Sequence, residues 1–138
     1  MTIRPYSSED YNMIRSWWEV HGSGVMPPEV FLPATGAIAE VDGNPIAASF
    51  LYCCIGGIPV IEFTTTNPVA KLSKDLVKAV KALYSYLEKI AWENKSPCIL
   101  SFVKPNSGEA RIMAKTGYQD LQGEPHVTYG KAFSCQWL

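Results

Sequence analysis

The run Val60-Ile61-Glu62-Phe63-Thr64 sets one carboxylate inside an apolar, β-branched stretch, and period-two alternation puts Glu62 on the face opposite Ile61 and Phe63. A carboxylate in mid-strand is usually solvated or paired. Where neighbours such as Trp18 strip part of its water, its pKa climbs toward neutrality and it becomes a usable general base. The residues themselves leave both readings open. Just beyond, Phe63-Thr64-Thr65-Thr66-Asn67-Pro68-Val69-Ala70-Lys71-Leu72-Ser73 carries a strand end into the first turn of a long helix. Unpaired N–H groups and the positive end of the helix dipole meet at such a junction and favour an anion, with Lys71 and Lys74 adding charge. The same junction occurs in any crossover, where such lysines simply solvate the turn.

Two adjacent tryptophans, Trp17 and Trp18, cannot both face the core from one helix. Trp18 and His21, three apart, share a face; the plain structural roles are a cover over the sheet for Trp18 and a helix C-terminal cap for His21. Tyr52, in a middle strand, is placed to line the same cleft. Cys53, Cys54, Cys98 and Cys135 match neither paired CxxC motifs nor a Cys/His zinc pattern, so no metal site is expected. In apolar stretches they read as small hydrophobes.

The elements that must hold these residues follow from periodicity and punctuation. Thr2 to Pro5 reads as a strand, and Ser7-Ser8-Glu9-Asp10 as a capping box with Ser7 as N-cap. The helix that follows repeats Tyr11, Ile14, Trp17 and Trp18 and ends at His21-Gly22. Gly22 to Pro33 is irregular, with one short helical turn at Glu29 to Leu32. Ala37 to Val41, the turn Asp42-Gly43-Asn44, Pro45 to Cys54, a second turn at Gly56-Gly57 and Ile58 to Thr66 form a three-strand antiparallel meander. Ser73 then caps a helix reaching about Asn94, with Leu76, Val77, Val80, Leu83, Tyr84, Leu87, Ile90 and Ala91 on one stripe. Cys98 to Lys104 is a buried-type strand, Pro105-Asn106 a break, Gly108 to Lys115 a short helix stopped by Gly117, and His126 to Phe133 a last strand. Strand, long helix, strand requires a right-handed crossover, so the strands ending at Thr66 and Lys104 lie parallel and adjacent in a mixed sheet.

At 138 residues the chain is expected to form a single domain, 1–138, burying about two-thirds of its unfolded surface. A net charge of −1 without basic runs argues against nucleic acid as a partner. No segment approaches the ~18 apolar residues of a membrane helix. The start, MTIRPYSSED, reads as a strand entering a capped helix rather than a signal or transit peptide, and a cytoplasmic location is the expectation. The apolar end, Phe133 to Leu138, together with exposed aromatics, leaves a homodimer open.

The order of these elements resembles the GNAT superfamily of N-acetyltransferases over nearly the whole chain. Its most specific local piece is Asn106 followed by Ile112-Met113-Ala114-Lys115-Thr116-Gly117-Tyr118, which is similar to that family's Asn and later Leu-Tyr-Glu-Lys-x-Gly-Phe. The chain also resembles small GNAT-like proteins of bacteriophages, in a Trp and His-Gly near the first helix and Asn-Pro after the Glu-bearing strand. The resemblance implies an α/β (α+β) fold with a mixed sheet of about six or seven strands and helices on both faces. It implies acetyl-CoA or another acyl-CoA as cofactor, its pantetheine between the two parallel strands against the main chain of Phe63, Thr64 and Thr65, and Asn106 touching that arm. The pyrophosphate is implied to sit on Asn67, Val69, Ala70, Lys71, Leu72, Ser73 and Lys74. Glu62 becomes the candidate base, and Trp18, His21 and Tyr52 the residues facing a small-molecule or protein amine. Two departures are visible. The family's Gly-bearing phosphate loop is absent from Val69 to Ser73, and Met113 stands where the family commonly has a proton-donating Tyr. The alternative to an acetyltransferase is a non-catalytic binding or interaction domain of the same fold.

Overall fold

Two residues with positive φ, Asp42 (51°) and Gly43 (76°), close a tight hairpin of the primed type and thereby set the register of the sheet around them. The computed structural model describes residues 1–22, 24–53, 57–70 and 74–121. Strands β1 (Thr2–Pro5), β2 (Gly36–Val41), β3 (Asn44–Tyr52) and β4 (Val60–Thr66) run antiparallel, each beside the next, and β5 (Leu100–Ser101) lies parallel to β4. Helix α1 (Tyr11–Val20) follows a 3-10 turn at Ser8–Asp10; α2 (Lys74–Glu93) makes the crossover from β4 to β5; α3 (Gly108–Lys115) comes last. A second 3-10 turn, Glu29–Phe31, sits inside the irregular stretch, in agreement with the sequence pattern.

Period-two alternation divides the sheet's two faces. Ala37, Ala39, Ala47, Leu51 and Ile61 pack under α2 with Leu76, Ala79, Val80, Leu83, Tyr84 and Leu87. Three of the strand residues are alanines, and their small side chains let the helix settle close to the sheet. Ile38, Ala48 and Phe50 face the other way, against Ile14 and Trp17 of α1 and Met26. Each large side chain so buried contributes about 1.5–3 kcal/mol relative to exposure. The helical stripe differs from its expectation at one position: Val77 is 38% exposed, and Ala79 takes its place in the core.

The start of α1 is tied to the sheet by charge. Ser7 N–H donates to Asp10 Oδ2 at 3.0 Å, the reciprocal half of a capping box. Arg4 of β1 then grips both oxygens of Asp10 at 2.7 Å and Glu40 of β2 at 2.6 Å. Gly36 is required beside this corner, because a Cβ there would lie 2.6 Å from Cδ1 of Phe50 and 2.9 Å from Cβ of Tyr6.

The described residues hold five strands of the expected six or seven, and the expected strand His126 to Phe133, like the apolar residues after it, lies outside them. Two expectations are corrected. β5 is two residues long rather than Cys98 to Lys104, because its ladder with β4 ends at Ile61↔Ser101 and the strands then part. Phe63 does not share a face with Ile61. Glu62 pairs with Phe50 and Thr65 with Ala48, so Ser49 alone faces both Phe63 and Thr64 in a β-bulge, and Phe63 adopts φ 54°. Among the described residues no helix is long and apolar enough to cross a membrane.

Candidate active site

Glu62 lies next to the bulge and next to the point where β4 and β5 separate. Continuing the parallel ladder would give the Phe102 amide to the backbone of β4; instead it donates to Glu62 Oε1 at 3.3 Å. The carboxyl is partly buried, and burial is the main force holding its pKa above the ordinary glutamate value. The negative charge of Glu109 pushes the same way, while bonds from the Phe102 and Phe63 amides pull it back.

Three aromatic rings stand on this side of the sheet. Trp18 and Phe63 have centroids 5.3 Å apart, and Tyr52 and Phe63 6.1 Å. Trp17 is the buried tryptophan of the pair, 5% exposed, while Trp18 is only partly buried, which is the division that helical spacing requires. The bulge is what turns the Phe63 ring toward Trp18 and Tyr52. The Tyr52 hydroxyl donates to Phe31 O at 3.1 Å, and burial followed by the nearby charge of Glu62 raises its pKa.

His21 is not brought to Glu62. Its Nε2 lies 2.8 Å from Thr66 O and 3.2 Å from Thr66 Oγ1, at the other end of β4, about 13 Å along an extended strand from Glu62. His21 is the C-cap of α1, its N–H donating to Trp17 O at 3.1 Å, and its side chain ties that helix end to the end of β4. The hydroxyl of Thr65, 4% exposed, and the indole N–H of Trp18 are both buried, and neither finds a hydrogen-bond partner among the described residues.

After β4 the chain turns on Asn67. Its N–H donates to Ile46 O at 2.9 Å and its side-chain amide to Pro45 O at 3.2 Å, while its Oδ1 and backbone O accept the Val69 and Ala70 amides at 3.0 Å each. The Val69 and Ala70 donors are therefore already committed within the turn. Lys71, Leu72 and Ser73 lie outside the described residues, and Lys74 opens α2. Asn106 sits in the turn before α3 with φ 60°. Ser107, the N-cap of α3, accepts the Ala110 amide at 3.0 Å. Met113 is a core residue, 5% exposed in the cluster under α2.

One partly buried network has no sequence signal. Ser49 Oγ and Thr64 Oγ1 are 2.9 Å apart, and the Tyr84 hydroxyl lies 3.4 Å from Thr64 Oγ1 and 2.6 Å from Glu109 Oε1. The short contact takes the phenol's proton, and Thr64 is the weaker neighbour. Burial, then the Glu109 charge, drives the Tyr84 pKa far above the usual phenol range. Tyr84 belongs to the helix stripe, as periodicity predicts, but spacing alone does not connect positions 84 and 109. An open recess of about 550 Å³, lined by Tyr6, Glu29, Leu32 and Pro33 among others, includes none of the predicted site residues.

No family model matches the chain, and no curated protein matches it. Solved structures do. The protein TTHA1254 from Thermus thermophilus superposes with a TM-score of 0.70 at 16% identity, over 99% of this chain and 100% of that one. Aminoglycoside N-acetyltransferase AAC(6')-Iy, solved in complex with CoA, gives 0.66 at 17% identity over 96% and 100%. Ribosomal-protein-alanine N-acetyltransferase from Brucella melitensis gives 0.64 at 13% over 94% and 99%. The chain therefore has the GNAT fold, in agreement with its order of elements.

Proposed function

We propose that the protein is an acyl-CoA-dependent N-acyltransferase that moves an acetyl group to an amine, with Glu62 as the base. The observation that carries this is the position of Glu62: a partly desolvated carboxylate beside a bulge, at the parting of two parallel strands, on a fold shared with acetyltransferases solved with CoA. Acyl-CoA would supply an activated thioester. The parted strands suit its amide-rich arm, because backbone groups beyond Ser101 no longer pair across the gap. Phe63, Thr64 and Thr65 offer main chain on one side, and Asn106 lies in the turn leading out of the other.

In this reading Glu62 takes a proton from the bound amine, the amine nitrogen forms a bond to the thioester carbon, the carbon–sulfur bond breaks, and the sulfur leaves as a thiol with a proton from solvent. Met113, packed in the core, supplies no proton. Trp18 and Tyr52 wall the acceptor side; His21, held by Thr66, acts by positioning α1 rather than by touching the acceptor.

A second reading, a non-catalytic binding domain, is favoured by specific contacts. The Phe102, Val69 and Ala70 amides are all engaged within the protein itself. Calorimetric titration with acetyl-CoA separates the two readings. Saturable binding weakened by Asn106→Ala, together with thiol release in the presence of amines, supports the transferase; no binding up to millimolar cofactor overturns it.

A further inference from the structure

Past Ser101 the ladder between β4 and β5 ends, and one side chain meets both banks of the gap that follows. Tyr84 comes from α2 and is 1% exposed, with its hydroxyl 3.4 Å from Thr64 Oγ1 on β4 and 2.6 Å from Glu109 Oε1 in the first turn of α3. Only Ser107 and Gly108 stand between Asn106 and Glu109. Ser107 accepts the Ala110 amide as N-cap, so the Asn106 turn and the start of α3 are joined. The β4 bank is irregular as well. Ser49 faces both Phe63 and Thr64 across the bulge, and its Oγ lies 2.9 Å from Thr64 Oγ1. The Tyr84 ring itself is packed in the core under α2, 6.4 Å from the ring of Tyr118, which fixes where its hydroxyl can be.

We infer that Tyr84 is a positioning residue for the cofactor: by meeting Thr64 on one bank and Glu109 on the other, its hydroxyl holds β4 and the Asn106 turn at one separation, ready for the extended, amide-bearing arm of an acyl-CoA. The inference rests on the acyl-CoA reading of this gap. Without the bridge the two banks sample other separations, and a ligand that needs one of them binds more weakly by the fraction of time that it is lost. The hydroxyl is committed within the protein, so Tyr84 acts on binding and not as a proton donor. The part of the bridge that matters is the acceptor oxygen at position 109 rather than its charge, because a neutral amide oxygen also accepts the phenol's proton.

The test is calorimetric titration of the full chain with acetyl-CoA, with circular dichroism and thermal melts as checks on folding. Tyr84→Phe and Glu109→Ala are each expected to weaken acetyl-CoA binding ~5-fold or more, whereas Glu109→Gln, which keeps the acceptor, stays within ~2-fold of the parent. The double variant Tyr84→Phe, Glu109→Ala should bind no more weakly than either single one, since both break the same bridge. Glu109 is only partly buried, so the Ala and Gln pair at that position carries the test should Tyr84→Phe fail to fold. A role in stability alone would lower the melting temperature of Tyr84→Phe and leave the affinity of the folded protein unchanged, and that result overturns the inference. Glu109→Gln binding as weakly as Glu109→Ala overturns it too. In both cases binding by the parent leaves the acyl-CoA reading standing. No binding by the parent up to millimolar acetyl-CoA defeats that reading and the inference together.

Discussion

The Glu62 carboxylate holds the Phe102 amide at 3.3 Å, in the place where a backbone carbonyl of β4 would hold it had the parallel ladder continued. The side chain both fills the opening between the strands and stands at the site of proposed chemistry. A glutamine in its place keeps an acceptor oxygen for the same amide but cannot take a proton. Glu62→Gln is therefore expected to retain acetyl-CoA binding and lose about 10²–10⁴ in turnover. A carboxyl whose folded pKa is raised costs stability once pH exceeds its unfolded value, about 4.3. The variant's thermal midpoint at neutral pH should accordingly equal or exceed that of the parent. In the parent, kcat/KM should rise with pH through a midpoint above the ordinary glutamate value.

Asp10 makes the opposite contribution. The hydrogen bonds from Arg4 are the largest cause of its lowered pKa, so its stabilisation is complete above the unfolded value of about 3.9 and disappears as pH falls through the folded one. Asp10→Asn should cost about 1–2 kcal/mol at pH 7, held to that range because the Arg4 side chain is 34% exposed and screened by water. Urea melts at pH 7 and pH 3 check this: the gap between parent and variant should shrink at the lower pH.

Gly36→Ala should destabilise by about 1–3 kcal/mol, since the new methyl has to displace the buried Phe50 ring or the Tyr6 Cβ. Denaturant midpoints measure the loss. An unchanged midpoint would show that this corner yields.

Met113→Ala should cost about 2–5 kcal/mol as a core truncation. Met113→Tyr, which introduces the proton donor that the resemblance to GNAT acetyltransferases implies at this position, should raise turnover by less than twofold and lower the melting temperature, because the larger side chain enters a packed cluster. A tenfold rise in turnover would refute the core assignment.

Much of this architecture is legible in the sequence. The hairpin at Asp42-Gly43, the adjacency of the strands around the α2 crossover, and the unequal burial of Trp17 and Trp18, though not which of the two is buried, follow from short-range rules of turn geometry and periodicity. What escapes depends on tertiary register. Phe63 breaks alternation because Ser49 is shared by two residues of β4, and a one-residue irregularity leaves no mark on hydrophobic pattern. The backbone of His21 takes the C-cap place that the sequence pattern gives it, but which group its ring meets, Thr66, depends on how α1 lies against β4 and is not written in the helix's own residues. The Val69 and Ala70 amides, which the family resemblance implies as donors to a pyrophosphate, are taken by Asn67, whose competing acceptors are local.

The contacts of Ser49, Thr64, Tyr84 and Glu109 join β3, β4, α2 and α3 through two fully buried side chains, Ser49 and Tyr84, and two partly buried ones, Thr64 and Glu109. A chain of this kind makes opening collective, because releasing a partner leaves the buried Tyr84 or Ser49 hydroxyl unsatisfied away from water. Amide protons of β4 and α3 should consequently exchange with solvent at a common rate, although the two elements are far apart in sequence. In Tyr84→Phe that rate should split, with α3 exchanging first and β4 remaining protected with the rest of the sheet.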